Sequence, residues 1–193
     1  MLCVHRIPFS TNVERVALAA GHKGLEVQWV DHDPADRSAL RELSGQELVP
    51  VAELDGELVV DSVRIVEQIE RRWPDPPLYP PDPRVAAEVR LFVEWFNEVW
   101  KAPPNALAAG DGDPALRRRL AGWQATFDDL LDDRDFLFGG FGAADVCAFP
   151  FLKYAVSAPD PADTDPFHEV LCELEAPPRL RAWIERVDAR PRA

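Results

Sequence analysis

The segment LVPVAELDGELVVDSVRIVEQIE, residues 48–70, decides the fold of the N-terminal half of the chain. Two short apolar runs, 51–54 and 58–60, are joined by Asp55-Gly56, a pair that accepts the positive φ angles of a two-residue hairpin turn. The rest of the segment places apolar residues on one face of a helix: Val63, Ile65, Val66 and Ile69. The segment therefore predicts two antiparallel strands followed by an amphipathic helix.

The residues before this segment alternate between strand and helix patterns. An apolar run at 2–5 predicts a strand, and a helical pattern starts at Thr11 and is expected to be stopped by Gly21 and Gly24. A second strand is predicted at 26–30, with a short helix after it that ends at Leu43. The predicted order of elements is β-α-β-α-β-β-α.

Six prolines between positions 74 and 83 predict an extended stretch, because proline lacks an N–H and breaks helices. We therefore expect a first domain at 1–75, a linker at 76–83 and a second domain at 84–193. Every periodic pattern in the second domain is helical, which predicts a helical bundle. The expected helices span 84–100, 114–131, 143–156 and 167–187.

Composition and charge narrow the classes of function. A net charge of -13 and a pI near 4.7 oppose binding to nucleic acid or to anionic lipid. No run of eighteen apolar residues predicts a membrane span, and no signal peptide is evident, so a cytoplasmic location is expected. The three cysteines, Cys3, Cys147 and Cys172, have no CxxC spacing, and neither a redox motif nor a metal motif is expected.

Two features of the 48–70 segment suit the binding of an extended peptide. Pro50 stands just before a strand, and a turned backbone there would leave the N–H and C=O of Val49 free to pair with such a peptide. Asp61-Ser62 opens a helix, whose N-terminus favours an α-carboxylate, while Asp61 can receive an α-ammonium. Either feature alone is more often an ordinary turn or helix cap; the combination indicates a binding site.

Ser10 lies after the first strand and at the start of the first helix, in IPFSTNVER, residues 7–15. A hydroxyl at this position can donate a hydrogen bond to a thiolate, and the helix N-terminus adds positive potential. A bound thiol would then ionise more readily near neutral pH. The simpler alternative is that Ser10 or Thr11 only caps the helix.

These motifs resemble the cytosolic glutathione transferases, specifically serine-type, bacterial-like members. The likeness lies in LVPV at 48–51 with the following hairpin, in VDS at 60–62, and in Ser10 at the place of the family's catalytic residue. In the second domain, FLFGGF-GAADV at 136–146 resembles the family's folding motif, and residues 180–187 resemble its closing helix. The resemblance implies an α/β thioredoxin-like domain followed by an all-helical domain.

The resemblance also implies roles for individual residues. Ser10 would stabilise the thiolate of glutathione, the co-substrate, with no metal or other cofactor. Four residues would hold the thiol peptide: Val49, Pro50, Asp61 and Ser62. Three aromatic residues would border a pocket for an apolar electrophile, although aromatic spacing on a helix is more often core packing: Phe9, Phe96 and Trp100.

The family likeness further implies a homodimer, in which the third helix, with Val63, Ile65 and Val66, faces the partner's helical domain. Asp145 is expected to stabilise the helix that Gly142 opens, by accepting a hydrogen bond from the helix start, and its loss is expected to cost about 1–2 kcal/mol. Asp145 is thus predicted to be structural rather than catalytic.

The sequence departs from the family pattern in the thiol site. Many members have a lysine just before the Val-Pro pair that holds the glycine carboxylate of glutathione, whereas this chain has Leu48, preceded by Glu47. Candidate replacements for that lysine are Gln46, His32 and Arg37. The folding motif also begins with Gly142 instead of serine or threonine.

The leading hypothesis is a glutathione S-transferase that conjugates glutathione to an apolar electrophile, with detoxification as its role. Two alternatives stay open: a binding or regulatory protein that keeps the fold without turnover, and an isomerase or dehalogenase on the same fold. A thiol other than glutathione is also compatible with the missing lysine.

Overall fold

The computed structural model describes residues 1–193 and divides into two compact units. The first unit comprises Met1–Leu78 together with the C-terminal residues Arg190–Ala193, and the second comprises Tyr79–Ala189. No helix in the chain is both long enough and apolar enough to span a bilayer.

The first unit is a four-stranded mixed sheet with three helices, which confirms the predicted order of elements. The sheet order is β2-β1-β3-β4, in which β1 and β2 are parallel and the other two pairs are antiparallel. The elements are β1 (Leu2–Arg6), α1 (Thr11–His22), β2 (Val27–Asp31), α2 (Ser38–Ser44), β3 (Val51–Leu54), β4 (Glu57–Val60) and α3 (Ser62–Arg72).

Alternation along the strands divides the sheet into two faces. Leu2 and Val4 of β1 point to one face, where α1 and α3 supply the buried partners Val16, Ala20 and Ile65. The other face is smaller: there Val51 of β3 packs against Leu40 of α2 and Val49.

The turn between β3 and β4 is the one expected from its sequence. Asp55 has a φ of 52° and Gly56 a φ of 88°, which are the two positive values that this kind of hairpin requires. The hairpin is therefore confirmed in register, with Leu54 opposite Glu57.

Of the two glycines expected to stop α1, Gly24 lies just beyond its end with a φ of 64°, whereas the helix runs past Gly21 to His22. A Cβ atom on Gly21 would lie 2.3 Å from the carbonyl oxygen of Pro191, so glycine leaves space for the C-terminal residues to pack on α1.

The second unit is helical, as predicted, but three predicted helices are divided. The pattern at 84–100 becomes α4 followed by a π-helical turn, the pattern at 143–156 becomes α7 followed by a 3₁₀ turn, and the pattern at 167–187 becomes α8 and α9. Pro177 is the N-cap of α9 and Pro178 is its first residue, a position that tolerates proline. A short helix, α5, was not predicted. The elements are α4 (Pro83–Trp95), the π turn (Phe96–Trp100), α5 (Ala102–Ala108), α6 (Pro114–Leu130), α7 (Ala143–Leu152), a 3₁₀ turn (Lys153–Ala155), α8 (Pro166–Cys172) and α9 (Pro178–Asp188).

Asp145 connects the start of α7 to two other segments of the second unit. Its Oδ2 accepts from the Gly142 N–H at 2.9 Å, which is the predicted half of a capping box. Its Oδ1 accepts from the Leu137 N–H at 3.1 Å and from the Trp183 indole Nε1–H at 2.7 Å. Burial raises the pKa of this carboxyl to about 6, while the same hydrogen bonds act in the opposite direction.

Candidate functional site

Strand register brings the motifs for thiol binding to one edge of the sheet. Val51 pairs with His5 of β1 and with Val60 of β4, so these three residues lie side by side. The loop after β1 leads to Ser10, Pro50 precedes Val51, and Asp61 follows Val60. All three segments therefore leave the sheet at the same edge.

Ser10 is the N-cap of α1. Its Oγ accepts a hydrogen bond from the Val13 N–H at 3.4 Å, and the side chain is half-buried. No group in the protein accepts the hydroxyl hydrogen, so capping leaves that hydrogen for a ligand. Phe9, just before it, has a φ of 60° and is 41% exposed.

Val49 and Pro50 are joined by a cis peptide bond. The Val49 side chain packs in the small cluster on the second face of the sheet. Neither the N–H nor the C=O of Val49 forms a hydrogen bond within the protein. A pair of unpaired backbone groups beside a sheet edge is suited to an extended peptide ligand.

Asp61 and Ser62 have different surroundings, although they are adjacent. Asp61 is exposed, with a φ of 76°, and its Oδ1 accepts from the N–H groups of Val63 at 2.9 Å and Arg64 at 3.2 Å. Asp61 is therefore the cap of α3, and its Oδ2 accepts no hydrogen bond from the protein. Ser62 is 3% exposed.

A buried network connects Ser62 to the start of α1. Arg15, only 2% exposed, donates from Nη1 to the Ser62 Oγ at 3.2 Å, and that hydroxyl donates to Asn12 Oδ1 at 3.5 Å. The network holds the N-termini of α1 and α3 together. The positive ends of two helices favour an anion at this edge.

Sequence reasoning did not identify Arg15 as part of the site. Its position on α1 could have indicated that Arg15 is buried, because it precedes Leu18 and Ala19 by three and four residues on the same helix face, and both of these are fully buried. A cation on the buried stripe of a helix requires a polar partner, which here is Ser62.

Among the three candidates to replace the missing lysine, Arg37 has the most suitable contacts. Leu48 itself is 64% exposed, and Glu47 is ion-paired with Arg41. Arg37 donates from Nη1 to the Glu47 carbonyl oxygen at 3.3 Å, which places its guanidinium beside the segment that leads into Pro50.

The other two candidates are engaged elsewhere. His32 Nε2 lies 2.8 Å from His5 Nδ1. Gln46 donates its backbone N–H to Ser44 Oγ at 3.4 Å, and its side chain makes no contact that would hold it in the site.

Phe96 and Trp100 lie inside the second unit. Their rings are stacked with centroids 4.4 Å apart, both are fully buried, and each also contacts Phe127 and Phe151. Neither ring presents a surface to a ligand. This is the core packing that the sequence pattern also allowed, so these two rings do not line a ligand pocket in this structure.

The second unit contains an open cavity of about 390 Å³ between α5, α6 and α8. Gln124 lines it; this side chain is 2% exposed, donates to the Glu175 carbonyl oxygen at 3.2 Å, and leaves its Oε1 without a partner. None of the residues predicted for thiol binding lines this cavity. It is therefore a feature separate from the candidate thiol site.

Comparison with known proteins agrees with this geometry. The family model described as "Glutathione S-transferase, N-terminal domain" matches residues 4–77, and the model described as "Glutathione S-transferase, C-terminal domain" matches residues 57–186. The glutathione transferase GST 23 of Zea mays is 32% identical over 184 residues, covering 92% of this chain and 80% of its own length.

Two further relatives extend the comparison. A maleylacetoacetate isomerase of Pseudomonas aeruginosa is 30% identical over 166 residues, covering 76% of this chain and 77% of its own. The crystal structure of rice GST1 in complex with glutathione aligns with a TM-score of 0.79 at 25% identity, over 97% of this chain and 86% of that one. Sequence motifs, fold and family models lead to one conclusion: this chain belongs to the glutathione S-transferase family.

Proposed function

We propose that the chain binds glutathione at the edge of its sheet and uses Ser10 to stabilise the thiolate for attack on an apolar electrophile. The observation that carries this proposal is the Ser10 hydroxyl, which caps α1 and keeps its hydrogen free at the edge where Val49 has an unpaired N–H and C=O. The glutathione complex of the rice relative supports glutathione as the thiol.

In this proposal each group of the site has a separate task. The N–H and C=O of Val49 pair with the peptide backbone of glutathione. The Asp61 Oδ2, which accepts nothing from the protein, receives the α-ammonium, while the N-terminus of α3 receives the α-carboxylate. Phe9, exposed beside Ser10, contacts the apolar electrophile.

The chemical step follows from the position of Ser10. The thiol of glutathione loses its proton to solvent, the Ser10 hydroxyl donates a hydrogen bond to the sulfur, and the N-terminus of α1 lowers the energy of the negative charge. The thiolate, not Ser10, then attacks the electrophile. Binding of glutathione measured by calorimetry, together with turnover of a generic aromatic electrophile, tests the proposal; binding without turnover would favour the non-catalytic alternative.

A second candidate function is isomerisation on the same thiolate. The Pseudomonas aeruginosa relative is a maleylacetoacetate isomerase at 30% identity over most of both chains. An isomerase also forms the thiolate but regenerates free glutathione at the end of each cycle. Turnover that consumes no glutathione, with little activity on generic electrophiles, would identify this function and exclude conjugation.

Replacing Arg37 with alanine is expected to weaken glutathione binding about tenfold. A hydrogen bond to a charged group contributes roughly 1.5–3 kcal/mol, and the partial exposure of Arg37 places its contribution at the low end of that range. Arg41→Ala is the matched control, because Arg41 lies on α2, the helix that starts directly after Arg37, and pairs with Glu47. Calorimetric titration gives both affinities, and equal effects of the two substitutions would remove Arg37 from the site.

We expect a homodimer in solution, as the family resemblance implies. Of the three α3 residues named above, Ile65 and Val66 are buried within their own unit, whereas Val63 is half-buried. In the second unit, Leu91 of α4 is an apolar side chain that is 66% exposed, and it is the position at which we would test for an interface. Light scattering is expected to give twice the 21.6 kDa chain mass, and Leu91→Lys is expected to weaken association. A monomer mass at micromolar protein would contradict this expectation.

A further inference from the structure

The second face of the sheet carries a cluster of metal-binding side chains that the proposed thiol chemistry does not use. Cys3 and His5 are two residues apart on β1, and Glu53 on β3 is the cross-strand partner of Cys3, so all three point to the same face. The thiol sulfur, a ring nitrogen and a carboxylate oxygen all lie within 4.8 Å of one another.

His5 is the centre of this cluster. It is 8% exposed, its Nε2 lies 3.1 Å from Glu53 Oε1, and its Nδ1 lies 2.8 Å from His32 Nε2. His32 follows β2, where its N–H donates to the Arg6 carbonyl oxygen at 2.8 Å. Both nitrogens of the His5 ring therefore have fixed neighbours on rigid elements of the fold.

We propose that Cys3, His5 and Glu53 form a binding site for a zinc-like divalent cation, and that His32 positions the His5 ring. A thiolate, an imidazole and a carboxylate together are a donor set that zinc accepts, and water supplies the fourth position. The strongly acidic chain, with a net charge of -13, also draws cations toward its surface. This site is independent of the thiol-transfer function proposed above.

His32 has the role that an outer hydrogen-bond partner has in metal sites. When His5 Nε2 binds the cation, its proton must reside on Nδ1, from which it is donated to His32 Nε2. The contacts of His5 with Glu53 and His32 hold the ring where its Nε2 can reach the cation.

The free cysteines of the chain offer a matched control. Cys3 is half-buried in the cluster, whereas Cys172 is an exposed thiol at the end of α8 in the other unit. A thiol that binds cations nonspecifically would behave alike at both positions. Glu53 provides a second variant that does not threaten the fold, because its side chain is 46% exposed.

The test is a titration of the tag-free, chelator-treated full chain with Co²⁺ in the absence of glutathione. We expect saturation at one ion per chain, a thiolate-to-cobalt charge-transfer band, displacement of Co²⁺ by Zn²⁺ and no displacement by Mg²⁺. Cys172→Ser should keep the band, while Cys3→Ser should lose it and Glu53→Gln should weaken binding. His32→Gln should lower affinity roughly tenfold or more, in the range typical of outer-shell partners.

Several results would overturn the assignment. Absence of the thiolate band in the parent protein excludes Cys3 as a ligand, and a band that survives in Cys3→Ser but disappears in Cys172→Ser moves the site to the other thiol. Unchanged affinity in His32→Gln removes its positioning role. Circular dichroism and melting without metal establish that each variant is folded, so a lost signal reports on the site.

Discussion

Replacing Ser10 with alanine is expected to reduce turnover about tenfold to a hundredfold near neutral pH, because one hydrogen bond to a charged sulfur contributes roughly 1.5–3 kcal/mol. Thiol binding should weaken less than turnover, since the proposed peptide contacts at Val49 and Asp61 are unaffected. The pH profile of turnover should move to higher pH, as the bound thiol ionises less readily.

Two other variants of Ser10 separate its chemistry from its role as a helix cap. The Ser10 side chain caps α1, and loss of a cap to alanine costs about 1 kcal/mol of stability. Ser10→Gly costs only a few tenths of a kcal/mol and also lacks the hydroxyl, so it should show the same loss of turnover with nearly unchanged melting. Ser10→Thr keeps the hydroxyl and should retain most of the activity. If Ser10→Gly were fully active, the hydroxyl would have no part in catalysis.

Replacing Asp145 with alanine is expected to destabilise the fold by about 3–5 kcal/mol, more than the 1–2 kcal/mol expected from the helix start alone. The additional loss has an identified cause: the Leu137 N–H and the Trp183 indole N–H also donate to this carboxylate, and both would be left buried without an acceptor. Urea unfolding followed by tryptophan fluorescence and circular dichroism measures the change.

The control for Asp145 is asparagine, which keeps the shape and one acceptor oxygen and should cost less than alanine. Thiol binding per folded molecule should be unchanged in both variants, because Asp145 belongs to the helical unit. If Asp145→Ala were as stable as the parent protein but lost turnover, Asp145 would have a role in the active site and not in stabilising the fold.

Asp145 also makes the stability of the fold depend on pH. Burial raises the pKa of Asp145 from 3.8 to about 6 in the folded protein, so ionisation disfavours folding. Its stabilising effect is therefore complete below about pH 4 and is lost as pH rises through about 6. The stability difference between parent and Asp145→Asn should shift by about 1 kcal/mol in favour of the parent from pH 7 to pH 5, and a difference that did not vary with pH would contradict the raised pKa.

Local chemistry was sufficient to predict most of the first unit. Asp55-Gly56 admits only a tight turn, alternating apolar residues mark the strands, and their order leaves few alternatives for the sheet. Register then determines which loops share an edge, so residues far apart in sequence could be assigned to one site. Family resemblance supplied the role of Ser10, which spacing alone left indistinguishable from a helix cap.

The features that were predicted wrongly or missed depend on contacts that a local sequence pattern does not reveal. The helix α5 was not predicted; its Pro103 and Pro104 lie in the first turn, where the missing N–H groups have no partner to lose. The burial of Phe96 and Trp100 depends on Phe127 and Phe151, which come from other helices. Tertiary contacts of this kind determine whether an aromatic ring is core or pocket wall.

The most direct test of the central claim is the ionisation of glutathione bound to the parent protein, followed by the ultraviolet absorbance of the thiolate as pH is raised. We predict that the pKa of the bound thiol is at least one unit below that of a free thiol, which is about 8.5. In Ser10→Ala the pKa of the bound thiol should rise most of the way back to the free value. Bound glutathione that ionised at the same pH as free glutathione would contradict the account, because a site that does not stabilise the thiolate has no means of activating it.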